Sequence, residues 1–322
     1  MTPPGSAQPG PGTARPVPGE APVGQQRVPA WALAAGPEGI VAGVRAQWGF
    51  THETWILSRE DGPSVAVQRR CDRSDPTRPR ARAVREAVRA AGLPVPEPAA
   101  APSDGGRRVV TLPFVPGAPA AALLGTEEGA EAAGLLCGGV ARAMAKIQPA
   151  GLGLGRTWAS GSRLRTAGKA WLDGCPGELQ DSHLRAIDHM LDLAVAAVDA
   201  APTVLAHGDL VPVNILVHDG SVAAVLDLDR ARAAHPHFDA AWFLWVVTHH
   251  HPEMAEAAWR GYARGAGLAP VIPEACAWLQ PLQLLELAAQ ARHPADRRRW
   301  MARVETLLDG RGGGRGSVGH RP

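Results

Sequence analysis

Asparagine occurs once in the 322 residues of this chain, at Asn214, and lysine only at Lys146 and Lys169. Other polar positions are written in Arg, Asp, Glu, Gln, Ser and Thr, a bias of GC-rich coding that carries no chemistry. The single asparagine is therefore an exception to be explained. The four cysteines, Cys71, Cys137, Cys175 and Cys276, show neither CxxC nor metal-ligand spacing. That argues against a disulfide framework or a zinc site, and for reduced, buried thiols in a cytoplasmic protein. No apolar run is long enough to span a bilayer, and no basic-then-apolar leader is present, so no membrane association is expected. The net charge is only +2, which lacks the strongly basic footprint of a nucleic-acid binder.

What is present is a chain 45% hydrophobic, ample for a core. Residues 1–28 are Pro/Gly-rich and are expected to be disordered, as is the tail GRGGGRGSVGHRP over 310–322. Residues 29–115 carry the strand-like runs WILSRE, SVAVQRR and RRVVTLPFV, bounded by Gly, Pro and Asp. One helix interrupts them, ARAVREAVRAAG, with Ala83, Val84, Ala87, Val88 and Ala91 on one face. Residues 116–309 are dominated by Ala/Leu-rich helical patterns broken by one hairpin. The layout is an α+β fold with two parts: a small antiparallel sheet plus helix, and a larger, mainly helical part. No solenoid repeat appears.

The exception to the helical pattern is HGDLVPVNILVHDGSVAAVLDLD, residues 207–229. Here ILV and VAAVLDLD flank His218-Asp219-Gly220-Ser221, a hairpin signature. The pairing places His207, Asp209 and Asn214 on the loop entering the first strand, and Asp227 at the end of the returning strand. A carboxylate and an amide oxygen converging there form a hard-oxygen site suited to Mg²⁺. Asp209, a further carboxylate, can accept the proton of an attacking hydroxyl. Those are the parts that phosphoryl transfer requires. Asp229 is either a second metal-facing carboxylate or an exposed strand end. His207 is either a catalytic imidazole or a loop-holding one. Stripped of chemistry, the stretch would be an Asx-rich turn and hairpin.

His207-x-Asp209-x4-Asn214 followed by Asp227 resembles the catalytic and metal-binding loops of the aminoglycoside phosphotransferase/choline kinase superfamily, the small-molecule branch of the protein-kinase-like fold. The resemblance implies a bilobal fold, Asp209 as base with His207 in the same catalytic loop, and Asn214 and Asp227 as Mg²⁺ ligands. It also implies that Asp239, in HPHFDAAWF, braces the catalytic loop. In the N-terminal lobe such enzymes place a lysine on a strand, but no lysine precedes Lys146. The strand Val65-Ala66-Val67-Gln68 puts Gln68 at that position; Arg69 points to the opposite face, and Arg70 returns to the Gln68 face. Gln68 with Arg70 assisting is the expected phosphate contact. Glu86 is similar to the helix glutamate that pairs with the lysine, or is simply a solvent-facing residue. GFTHETW, with one glycine, would cover the phosphates through backbone N–H groups at Phe50, Thr51 and His52. Phe114 and Val115 would meet the adenine, between Pro113 and Pro116, which have no N–H to offer.

The function implied is transfer of a phosphoryl group from ATP, with GTP an open alternative, to a hydroxyl of a small molecule. Aminoglycosides or other antibiotics, sugars, amino sugars and amino-alcohols all qualify. The acceptor-binding residues are left open; Trp242 and Trp245 could stack a ring or hold a cation, and Glu253 could supply a carboxylate. Tryptophans at helical spacing in DAAWFLWVV, however, usually belong to a core. The His249–His251 run reads as a polar helix end before Pro252. The missing lysine motivates the rival reading, a catalytically silent, kinase-shaped module that binds nucleotide or a partner. The spacing from Asp227 to Asp239 leaves no length for a protein-kinase activation loop. The expected partners are the nucleotide and its acceptor, not nucleic acid; the oligomeric state is left open.

Overall fold

The computed structural model describes residues 27–46, 52–70, 75–175 and 177–312. Apart from Arg27, Val28 and the end of a helix that runs on to Gly312, the tails 1–28 and 310–322 lie outside the described residues. So do Gly49, Phe50 and Thr51 of the expected covering turn, and Cys71, while residues 52–55 of that turn are described as the start of β2.

A short helix, α1 (Ala30–Ala35), precedes strands β1 (Ile40–Arg45), β2 (His52–Arg59) and β3 (Val65–Arg70). Helix α2 (Pro79–Ala90) then leads to β4 (Ala99–Asp104) and β5 (Arg107–Pro113). The five strands form one antiparallel sheet in the order β1-β2-β3-β5-β4. Alternation along β3 sets its two faces. Val67 packs with Leu57, Val109 and Ala32 of α1 in a small core, while Gln68 and Arg70 face the other way. Pro79 opens α2, where its missing N–H costs nothing. Its Val84 and Val88 do not stay with the sheet: they join a core shared with Leu210, Ile215 and Val225. That burial ties the N-terminal part to the loop at Leu210 and the hairpin of residues 215–225.

The rest is mainly helical. After β6 (Ala118–Pro119) come α3 (Glu127–Ala145), α4 (Gly161–Asp173) and α5 (Asp181–Ala200), then β7 (Val204–Ala206). The hairpin of β8 (Ile215–His218) and β9 (Ser221–Val225) is followed by β10 (Arg232–Ala234), which pairs with β7. Helices α6 (Phe238–His250), α7 (Ala255–Ala266), α8 (Cys276–Gln290) and α9 (Pro294–Gly312) complete the chain. The Thr126 hydroxyl accepts the Gly129 N–H at 3.1 Å to start α3. Helix α3 then lies against α7 at backbone contact distance: a Cβ on Gly134 would come 2.0 Å from the Ala258 carbonyl oxygen, and one on Gly261 1.9 Å from that of Glu131.

The returning hairpin strand is shorter than the pattern VAAVLDLD predicts: β9 ends at Val225. Leu226 still donates its N–H to the Asn214 carbonyl at 2.8 Å, so the two segments stay paired one step further. Asp227 then turns off with φ 56° and ψ 55°, a left-handed conformation costly for a non-glycine residue. Cys137, Cys175 and Cys276 are free thiols and buried, and burial pushes Cys137 up to about 12. Among the described residues, no helix is long and apolar enough to cross a membrane.

Candidate active site

The loop between β7 and β8 is held from two sides. Asp239, at the start of α6 and 5% exposed, accepts the His207 N–H at 2.7 Å and the Gly208 N–H at 2.9 Å. Burial raises the Asp239 pKa, opposed by the nearby His207 ring and by those two backbone donors. Gly208 has φ +84°, and a Cβ there would sit 2.0 Å from the Arg230 carbonyl oxygen, so only glycine fits the second position of HGD. His207 is fully buried and contacts backbone with both ring nitrogens. Nε2 lies 2.9 Å from the Leu226 carbonyl, which can only accept, and Nδ1 receives the Asp209 N–H at 3.3 Å. His207 thus pins the loop to the turn that carries Asp227. This corrects the catalytic-imidazole alternative: no ring nitrogen is left for a substrate.

The Asn214 side chain closes the same loop, its Nδ2 donating to the Asp209 carbonyl at 2.9 Å. Oδ1 remains as its acceptor, with no hydrogen bond to it among the described residues. The Asp227 and Asp229 carboxylates and a ring nitrogen of His52, at the start of β2, offer ligand atoms within 4.8 Å of one another. Two carboxylates suit Mg²⁺, a hard cation that prefers oxygen. Imidazole is a poor ligand for it, so His52 is better placed as a hydrogen-bond donor to an anion. Its side chain is a member of the cluster that sequence reasoning missed, since only its backbone had been weighed. Asp229 is part of the cluster and is no exposed strand end.

The N-terminal residues divide unevenly. Arg69 faces away from the site, bonded to Glu53 and to Asp104 at 2.6 Å and lying 4.8 Å above the Trp31 ring. Gln68 receives a hydrogen bond from Arg70 at 2.8 Å and reaches Thr54 at 3.4 Å. Arg70, 4% exposed, also forms an ion pair with Asp229. Glu86 is not brought to Gln68. It lies on the solvent side of α2, its side chain 53% exposed and bonded to Arg82 at 2.8 Å. The buried face of α2 presents Arg85 instead, paired with Glu97. In the connector, the Phe114 N–H is spent on the Ser64 carbonyl at 3.3 Å. Of residues 113–116, only Val115 keeps an N–H without a partner among the described residues. Val115 also lines an open groove of about 630 Å³ with Pro94, Val95 and Ala224, which includes none of His207, Asp209 and Asn214.

Trp242 and Trp245 do not form an exposed wall. Both are buried, stacked at 5.1 Å with 20° between planes. The Trp242 indole Nε1–H donates to Asp209 Oδ1 at 2.8 Å. Trp245 continues the stack to His249 at 4.9 Å. Trp242 is thus a neighbour of the Asp209 carboxylate, which its position three residues after Asp239, one helical turn on, could have signalled. Glu253 is exposed on the turn Pro252–Met254 and bonds to none of these residues. A buried trio was also missed: Glu286 accepts from Arg232 at 2.7 Å and from the Trp158 indole at 3.2 Å. It fastens α8 to β10, just beyond the Asp227 turn.

A family model described as the phosphotransferase enzyme family matches residues 43–278. The chain belongs to that family. Solved phosphotransferases share its architecture. A thermostable mutant of aminoglycoside phosphotransferase APH(4)-Ia, in ternary complex with ADP and hygromycin B, is 15% identical with a TM-score of 0.63, covering 86% of this chain and 96% of that one. Macrolide 2'-phosphotransferase MphH from Brachybacterium faecium is 21% identical with a TM-score of 0.52, covering 81% and 91%. The GDP complex of an aminoglycoside 2'-phosphotransferase-IIIa mutant is 11% identical with a TM-score of 0.60, covering 86% and 94%. At these identities the likeness establishes the fold, an α+β bilobal, kinase-like one. No curated protein matches the chain significantly.

Proposed function

We propose that this member of the phosphotransferase family transfers the γ-phosphoryl group of a nucleoside triphosphate, ATP or GTP, to a hydroxyl of a small molecule. The observation that supports it is the convergence of Asp209, Asn214 and Asp227 on one loop-and-hairpin unit, with Asp239 and His207 holding that unit from behind. Asp209 has one carboxylate oxygen engaged by Trp242 and the other available to accept the hydroxyl proton. The acceptor oxygen forms a bond to the γ-phosphorus as the bond to the β,γ-bridging oxygen breaks, and the nucleoside diphosphate leaves. Asn214, Asp227 and Asp229 would hold Mg²⁺, which when bound neutralises phosphate charge. In this reading His52 and Gln68 would donate hydrogen bonds to phosphate oxygens, and the Val115 N–H to the base.

The acceptor class follows from neighbours only by analogy: hygromycin B and the macrolides belong to those proteins. The rival reading, a binding module without transfer, rests on Glu86 standing apart from Gln68. One assay separates the two. Triphosphate consumption with Mg²⁺ is measured across antibiotics, sugars and amino-alcohols, for wild type and for Asp209→Ala and Asp227→Ala. The phosphotransferase reading expects turnover with at least one acceptor and a loss of roughly 10³-fold or more in each variant. Nucleotide binding without transfer to any acceptor would favour the module, and no nucleotide binding with or without Mg²⁺ would remove the enzyme reading.

A further inference from the structure

The β3 strand carries two arginines with opposite commitments. Arg69 is held on the outer face by Glu53, Asp104 and Trp31. Arg70 lies on the inner face, almost fully buried, between Gln68 and Asp229. A buried guanidinium requires a counter-ion, because an unpaired charge in a dry site is strongly unfavourable. In a lysine–glutamate arrangement that counter-ion would come from the helix of the same lobe. Here Glu86 is turned outward to Arg82, and Arg70 has a counter-ion in Asp229, from the turn after β9. Asp229 shares a cluster with Asp227 and His52, all within 4.8 Å. A guanidinium and a divalent cation therefore compete for one carboxylate.

We propose that Arg70 is the phosphate-binding cation of this chain and that Asp229 holds it in reserve, exchanging Arg70 for the divalent cation as nucleotide enters. The inference rests on the phosphotransferase reading above. Exchange keeps every buried charge paired throughout: Arg70 passes from Asp229 to the phosphates, and Asp229 passes from Arg70 to the cation. It explains how a site without a lysine supplies a positive charge from the Gln68 face. Arginine suits the role, since its planar fork meets phosphate oxygens in pairs. Nucleotide and divalent cation must then strengthen each other's binding by one shared factor, and that coupling runs through Arg70.

The full chain is titrated with Mn²⁺, followed by electron paramagnetic resonance, and with a non-hydrolysable ATP analogue by calorimetry, each alone and together. Without nucleotide, Arg70→Gln is expected to bind Mn²⁺ about tenfold more tightly than wild type, because Asp229 has lost its competitor. The same variant is expected to bind the analogue without metal at least about tenfold more weakly, a single charge-assisted contact being worth that much. Asp229→Asn is expected to bind the metal-free analogue more tightly than wild type, because Arg70 is no longer held by the carboxylate, yet lose about tenfold in Mn²⁺ affinity when the analogue is present. Thermal unfolding of each variant reports folding. Should Arg70→Gln fail to fold, the Asp229→Asn arm decides, since unchanged or weaker metal-free analogue binding there refutes the reserve role. Unchanged Mn²⁺ and analogue affinities in Arg70→Gln, with wild type binding both, overturn this inference alone. Absence of analogue binding by wild type overturns it together with the phosphotransferase reading.

Discussion

Replacing Trp242 by phenylalanine keeps a ring in the stack with Trp245 and removes one atom pair that matters, the indole N–H donated to Asp209 Oδ1 at 2.8 Å. The donor is on a residue only 9% exposed, so water cannot readily take its place. A hydrogen bond to a charged group is worth about 1.5–3 kcal/mol. If the bond serves to aim the second carboxylate oxygen at the acceptor, most of that energy is expressed in the transition state, and kcat falls by about 10- to 100-fold. KM for the acceptor should move little, because the indole has no exposed face to offer it. The smaller ring also costs about 1–2 kcal/mol of stability through lost packing, which guanidinium unfolding measures separately. Trp245→Phe is the control: it thins the same stack and leaves Asp209 untouched, so it should lose stability without the kcat defect. The assay is steady-state phosphoryl transfer with the acceptor found in the panel, read as kcat and KM separately. Equal kcat values for the two variants, or a Trp242→Phe defect confined to KM, would refute the positioning role.

Asp239→Asn leaves one oxygen where two backbone N–H groups need acceptors, so its amide NH₂ faces a donor; a loss of about 2–4 kcal/mol in denaturant stability is expected, and a change under about 0.5 kcal/mol would show that the loop holds without this brace. Gly134→Ala gains about 1 kcal/mol of helix propensity but drives a Cβ to 2.0 Å from the Ala258 carbonyl; a net loss of about 1–3 kcal/mol is expected, while Gly139→Ala on the same helix, where a Cβ meets nothing within 4 Å, should be neutral or stabilising. Burial, with a smaller push from His237, lowers His235 from 6.5 to about 4. The unfolded chain takes up this proton near pH 6.5 and the folded one only near 4, so the group's contribution is complete above 6.5 and is lost as pH falls through that window, by up to about 3 kcal/mol. Unfolding free energies from pH 8 to pH 4 should show that acid limb, and His235→Gln should flatten it.

The elements that could be read from the chain are those whose own residues specify them. The runs WILSRE, SVAVQRR and RRVVTLPFV became β2, β3 and β5, and the apolar stripe Val84–Val88 became the buried face of α2. What escaped were elements defined by a neighbour. β4 is AAAPSD, without a β-branched residue and with a proline inside it; it is a strand because β5 offers it an edge, and Pro102 sits where the register shifts between Ala101 and Asp104. β1 includes Gly43, which admits Val28 against the sheet. Helix α1 is only six residues, too few for a helical period to declare itself. The early end of β9 has the same character: Leu226 and Asp227 look like strand by composition, but the His207 ring takes the Leu226 carbonyl that a longer ladder would have used.

The candidate site divides along the same physical line. Asp209, Asn214 and Asp227 are joined by short, stiff connections, a 3-10 turn at Pro212–Asn214 and a hairpin, so their spacing alone fixes how near they come. The partners of the N-terminal lobe arrive from separate segments, and no local spacing constrains them. Glu86 and Arg85 are one residue apart, yet one faces solvent and the other the protein interior; the helical pattern tolerates both, because a long arginine can bury its stem. Nor does alternation along β3, which correctly sends Arg69 and Arg70 to opposite faces, reveal that the carboxylate waiting for Arg70 lies 159 residues later in the chain. Alternation thus offers Arg70 as a charge on the Gln68 face in place of the absent lysine, and what the sequence does not reveal is that this arginine pairs with Asp229 of the other lobe. A pairing of that kind makes the lobes' contact and the site's charge balance one and the same feature, so a substitution at Arg70 or Asp229 must disturb both.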